Sequence, residues 1–222
     1  MPGRFLPLVT NYYYHVYNRG SNGQPIFLSK RDYQRFKDLL SYYQHSDHPG
    51  SYSKFLILKS EERQKILRNL SKEDIKYADI ICYCLMPNHF HVLLKQNRND
   101  GISKLMATVQ NGYARYFNKK QDKFGPLFQG RFKAVLVNNE EQLLHLTRYI
   151  HLNPYSSAIV NTSKQLKNYP WSSLQEYLSN NQEICKKEII ISHNKSKNYK
   201  DFVFNRKDYQ KELKKIEFLT NE

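Results

Sequence analysis

The sequence predicts an α+β protein, a mainly antiparallel sheet with helices packed on it, and three observations lead there. An apolar run over 78–86 is joined to a second over 89–95 by Pro87-Asn88, a turn short enough only for an antiparallel hairpin. Two stretches, 30–44 and 101–118, carry apolar residues at helical spacing. The elements alternate in the order β-α-(insert)-β-β-α-β-α, which suits helices layered on a sheet.

Each element has a local reason. Residues 11–17 (Asn-Tyr-Tyr-Tyr-His-Val-Tyr) are aromatic and β-prone and read as a strand. Residues 18–25 are dense in turn formers. Ser29 can cap a helix over 30–44 whose stripe is Tyr33, Phe36, Leu39 and Leu40. Residues 45–54 are polar and turn-rich, and 61–70 reads as a short charged helix, so 45–76 is an insert. After the hairpin, Ile102, Leu105, Met106, Val109, Tyr113 and Tyr116 mark the helix over 101–118. A Lys/Gly/Pro loop follows over 119–130, then a strand over 132–137. Asn138 or Asn139 caps a helix that is expected to stop before Pro154. The expected organisation is a principal domain over 1–160 and a basic, partly helical extension over 161–222. Within that extension, 182–222 is rich in Lys and Asn and is expected to pack loosely.

Composition narrows the function. The 222 residues carry 35 Lys and Arg against 20 Asp and Glu, a net charge of +15, and 14% of the chain is aromatic. An excess of cations mixed with rings favours nucleic acid over a lipid surface, because rings stack on unpaired bases. No run of about eighteen apolar residues exists, so no transmembrane helix is expected, and the first residues lack a signal-peptide pattern. Cys82, Cys84 and Cys185 form no CxxC pair, which argues against a zinc knuckle or disulfide framework and for a reducing cytoplasm.

Two segments carry chemistry. In His89-Phe90-His91 the period of 2 puts both imidazoles on one face and Phe90, Val92 and Leu94 on the other. Two adjacent imidazoles can grip one divalent cation, although a half-exposed strand with two ordinary histidines fits the same pattern. A histidine-triad nucleotide hydrolase needs a third alternating histidine where Leu93 stands. On the later helix, Tyr149 and Asn153 are four apart and share a face, while Leu143, Leu146 and Ile150 form another stripe. Tyr149 can therefore point away from the core, and the amide of Asn153, just before Pro154, can offer its oxygen to a metal. A packing tyrosine and a C-terminal cap are the alternative. His145, one turn earlier, is a rival ligand.

Taken together, Cys84-Leu85-Met86-Pro87-Asn88-His89-Phe90-His91-Val92-Leu93-Leu94 and Arg148-Tyr149-Ile150-His151-Leu152-Asn153-Pro154 resemble the single-tyrosine HUH transposases, and among them the REP-associated tyrosine transposases. Tyr17-Asn18-Arg19-Gly20, Gly125 to Lys133 and Pro170-Trp171-Ser172-Ser173 extend the resemblance over about residues 1–180. It implies a ferredoxin-like sheet with the histidine pair on a central strand. It implies Mg²⁺ or Mn²⁺ held by His89, His91 and Asn153, with Tyr149 as nucleophile and hairpin-bearing single-stranded DNA as substrate. Many relatives in the insertion-sequence branch have Gln where Asn153 stands. The family is bacterial, which implies a bacterial cytoplasm or nucleoid, and either a monomer or a homodimer.

The implied reaction is attack by Tyr149 on a phosphate, giving a 5′-phosphotyrosine link and a 3′-hydroxyl that can later reverse the step. Arg19, Arg115, Arg131, Lys133 and Arg148 are the candidate DNA contacts, with Arg131 and Lys133 expected to alternate on one strand. Tyr12, Tyr13 and Phe128 are candidate stacking rings, and Lys186-Lys187 a candidate non-specific hold. Two other readings share these residues: a domesticated relative that binds structured DNA or RNA without cutting, and a phosphoesterase that uses water directly.

Overall fold

Alternation along the strands builds the sheet. In β1 (Tyr13–Arg19), Tyr14, Val16 and Asn18 are buried while their neighbours are more exposed. β2 (Ala78–Met86) is buried along its whole length, as a strand covered on both faces must be. β3 (His89–Gln96) and β4 (Lys133–Val137) complete four antiparallel strands in the order β2-β3-β1-β4, the ferredoxin-like arrangement. These features are those of a computed structural model that describes residues 7–73, 75–179, 184–193 and 198–205.

One face of the sheet is sealed by α1 (Lys30–Tyr43) and α4 (Gly101–Gln121). The ring of Phe36 lies 4.9 Å from Phe90 and 5.1 Å from Tyr113, and all three are fully buried. Burial of rings this size contributes roughly 1.5–3 kcal/mol each. On the same layer, the buried Asp32 carboxylate accepts hydrogen bonds from Lys120, Tyr116 and Ser29 and joins α1 to α4. The other face is crossed by α5 (Glu140–Ser156), capped by Asn139, whose side chain accepts from the N–H of Gln142.

Several expectations shift. The first strand is displaced two residues toward the C-terminus, because Tyr13 to Arg19 is the stretch that pairs with both β3 and β4. The region 45–54 is not all loop: Ser51 caps a short α2 (Tyr52–Leu56), followed by α3 (Ser60–Glu73). Pro154 does not end α5. Leu152, Asn153, Pro154 and Tyr155 are all buried, which outweighs the lost N–H. The carbonyls of Asn153 and Pro154 accept from Ser157, Ile159 and Val160.

The described parts of 182–222 pack more firmly than expected and join the segments before them. α6 (Ser163–Lys167), α7 (Leu174–Leu178), α8 (Glu188–His193) and α9 (Tyr199–Phe204) follow in order. Leu166, Leu174, Tyr177, Ile190, Tyr199 and Val203 from this region join the same apolar cluster as the sheet. The backbone of 171–173 closes the outer edge of β2: Leu85 N–H donates to Trp171 O at 2.8 Å and Ser173 N–H to Tyr83 O at 3.0 Å. Lys186 pairs with Asp79 at 3.3 Å, and the buried Lys187 ammonium donates to the carbonyls of Glu176 and Ser179. Lys187 is therefore not the loose surface cation anticipated, whereas Lys186 stays exposed with its carboxylate partner. Residues 206–222 lie outside the described residues. Among the described residues no helix is long and apolar enough to cross a membrane, and none of the three cysteines is in a disulfide.

Candidate functional site

The turn at 87–88 fixes where the histidine strand begins. Pro87 O accepts from the N–H groups of Ile26 and Phe27 at 2.8 and 3.0 Å, and Asn88 O accepts from Gly20 N–H at 2.8 Å. Gly20 must be glycine for the tight loop that follows it, since a Cβ there would lie 2.1 Å from the Gln24 carbonyl oxygen. The pairing then sets Arg19 opposite His89, and both Tyr17 and Cys84 opposite His91.

His89, His91 and Tyr149 come together on the α5 face. The two imidazoles stand at 90° with centroids 5.1 Å apart. The Tyr149 ring meets His91 edge-on at 5.8 Å. His15, on the adjacent β1, completes the cluster: it stacks on His91 at 5.0 Å, with Nε2 2.9 Å from His91 Nδ1, and lies 6.2 Å from Tyr149. Burial pushes the His15 pKa down to about 4, so this ring is neutral at pH 7. His15 escaped the sequence reading. Its signal was the alternation Tyr13, His15, Tyr17, but that becomes useful only once β1 is known to pair with β3.

A groove of about 1420 Å³ opens over this cluster, bordered by Arg19, Asn88, His89, His91, Lys133 and Tyr149 among others. That exceeds the roughly 300–1,000 Å³ of ordinary small-molecule sites and suits an extended polymer. A smaller cavity of about 270 Å³ lies on the other side of Tyr149, between His15, Val135, His145 and Leu146. Tyr149 forms a wall of both.

The remaining predicted residues divide. Arg19 borders the groove, where its Nε donates to Gln129, and Lys133 lies with its ammonium 6.0 Å from the Tyr17 ring centre. Arg131 sits in the bend before β4 rather than on the strand and is exposed. Arg115 is exposed on α4, on the opposite side of the sheet from the imidazoles. Arg148 turns toward α9, with its guanidinium 4.6 Å from the Phe202 ring centre and one nitrogen 3.4 Å from Phe202 O. A second nitrogen donates to His145 Nδ1 at 3.2 Å. Of the stacking candidates, Tyr12 is exposed, Tyr13 is half-buried beside Lys95, and Phe128 belongs to the core.

Asn153 lies inside α5, fully buried, and its Nδ2 donates to Tyr149 O at 3.2 Å. The amide is thus tied to the turn that carries the tyrosine, and its Oδ1 is the atom of the right chemistry for a hard cation.

The histidine pair fits a metal ion. Two imidazoles bound through Nε2 at about 2.1 Å, at a right angle or somewhat wider, hold their centroids roughly 4.6–5.3 Å apart, which brackets the 5.1 Å seen here. Among the described residues no group of three or more His, Cys, Asp or Glu forms a candidate metal cluster. A third donor to an ion held there would be an amide, a water or the substrate.

Known proteins are similar to this chain in sequence and in fold. Residues 53–153 match the model of the IS200-like transposases, a stretch that holds His89, His91, Tyr149 and Asn153. A protein of Haemophilus influenzae described as a REP-associated tyrosine transposase is 26% identical over 105 residues, which are 43% of this chain. The match spans 58% of that relative's length. The structure of a REP-associated tyrosine transposase bound to a REP hairpin superposes with a TM-score of 0.51 at 15% identity, covering 80% of this chain and 85% of that one; at that identity the likeness speaks for the fold. Over residues 53–153 the chain is thus similar to the IS200-like transposases, and in fold it is similar to a REP-associated tyrosine transposase.

Proposed function

We propose that the protein cuts and rejoins single-stranded DNA that carries a hairpin, with Tyr149 as nucleophile and Mg²⁺ or Mn²⁺ as cofactor. The observation that carries this reading is the meeting of the Tyr149 ring with His91, and of His91 with His89, on the wall of one groove. The solved relative holds a REP hairpin, and the same class of substrate suits a groove lined by Arg19 and Lys133.

His89 and His91 would hold the ion, with Asn153 as the third donor. When bound, the ion supplies positive charge to the scissile phosphate and to the oxygens on which charge develops. Everything else falls to the chain. Tyr149, carried on α5, lines the groove, which would replace a bimolecular encounter with a fixed approach. The phenol oxygen forms a bond to phosphorus, the bond from phosphorus to the 3′-oxygen breaks, and the phenolic proton leaves as the 3′-hydroxyl gains one. A tyrosine hydroxyl titrates near about 10, so it reacts poorly without such help. The phosphotyrosine keeps the bond energy, and a second 3′-hydroxyl can reverse the step without ATP.

The reading is tested by incubating the protein with hairpin-bearing oligonucleotides and Mn²⁺ and resolving the products on a denaturing gel. A covalent protein–DNA adduct that disappears in Tyr149→Phe, with DNA binding retained, supports it. Binding without nicking across a broad substrate panel points to a non-cleaving module. Free 5′-phosphate products that persist in the Tyr149→Phe variant point to hydrolysis by water.

A further inference from the structure

We infer that His15 and Asn88 are positioning residues for the cation: each takes the Nδ1–H of one imidazole, His91 and His89 respectively, so that both rings turn Nε2 to the ion. The inference rests on the metal reading above and deepens it.

The two contacts are independent. Asn88 Oδ1 lies 2.7 Å from His89 Nδ1, and an amide oxygen only accepts, so His89 carries its proton on Nδ1. A neutral imidazole with a proton on Nδ1 keeps its lone pair on Nε2, the form a metal needs. On the neighbouring ring, His91 Nδ1 is 2.9 Å from His15 Nε2. That nitrogen is occupied, so His91 can reach a cation only through Nε2, and Nε2 must then be the unprotonated one. His91 is therefore the donor and His15 the acceptor. The reverse arrangement would place a proton on His91 Nε2 and repel the ion.

The backbone holds both acceptors in place. Asn88 sits in the turn whose carbonyl accepts from Gly20 N–H. His15 is held on β1 between β3 and β4, stacked on His91 and 5.0 Å from the Tyr17 ring. Partners of this kind typically change metal affinity by about ten- to a hundredfold. A neutral imidazole and a neutral amide in these places also add no negative charge, so the ion's charge stays directed at the phosphate.

Two measurements test this. Long-range proton–nitrogen NMR of the wild-type protein without metal reads the tautomer of each ring: Nδ1–H on both His89 and His91 is expected, and Nε2–H on His91 overturns the assignment. Mn²⁺ titration by electron paramagnetic resonance, with His89→Ala as the site-loss control, reads the affinity. His15→Phe, which keeps a ring but no acceptor, and Asn88→Ala are each expected to weaken Mn²⁺ about ten- to a hundredfold. His15→Gln, which restores an acceptor oxygen, is expected to recover most of that loss. Mn²⁺ bound by His15→Phe as tightly as by wild type overturns the role of His15 while leaving the metal reading intact. Mn²⁺ bound by neither wild type nor His89→Ala removes the metal reading and this inference together. If His15→Phe does not fold, the wild-type tautomer decides.

Discussion

The two faces of the sheet are made from the same strands and do opposite things. On one, Val16, Phe90 and Val92 meet α1 and α4 in a layer from which water is excluded. On the other, one residue along each strand, His15 and His91 meet Tyr149 of α5, and with Tyr17 and His89 they border cavities. A period of 2 thus divides eight consecutive residues of β3 between holding the molecule together and equipping its groove. Substitutions on the first face should unfold the protein. Those on the second should leave it folded and silent.

The sharpest separation is expected at Tyr149. Tyr149→Phe should eliminate the covalent DNA adduct on a denaturing gel while the melting temperature stays close to wild type. His91→Ala should lower metal-dependent nicking at least about a hundredfold, in keeping with the several kcal/mol a metal supplies, and rates measured with and without chelator check this. Across the sheet, Phe90→Ala should cost about 3–5 kcal/mol of stability, read by denaturant unfolding.

A further contrast lies between two kinds of histidine. His151 is fully buried on the back of α5, where Tyr199 and Ser173 each lie 2.7 Å from one of its ring nitrogens. Burial depresses its pKa to about 3. The unfolded chain takes up a proton near about 6.5, so the unfolded state binds more protons below that pH. Stability from this site is complete above about pH 6.5 and falls by roughly 1.4 kcal/mol per pH unit as pH drops toward the folded value. His151→Gln should flatten that slope in urea titrations at successive pH values.

The smallest effects should separate the basic residues. Lys133→Ala should weaken DNA binding evenly across sequences and lower the salt slope by about one. Arg115→Ala, on the sealed side, should leave both unchanged in the same fluorescence titrations.

The sequence disclosed most of what depends on local pattern. The hairpin, both long sheet-covering helices and the face shared by His89 and His91 follow from period and turn chemistry within one segment. It disclosed less of what depends on pairing between distant segments. His15 became visible only through the β1–β3 register, and the closure of β2 by Trp171 to Ser173 joins segments some ninety residues apart. Charge misled in a consistent way. Arg148 and Lys187 look like solvent-facing cations in a basic chain, yet each is satisfied by a carbonyl or a ring brought in by folding. Pro154 misled because burial of its neighbours overrode the backbone rule.

α5 is fastened from behind to its own chain, through His151 to Ser173 and Tyr199, and through Arg148 to Phe202. Any displacement of this helix would have to break ties to two segments that lie far along the chain, so the position of Tyr149 depends on residues remote from the groove.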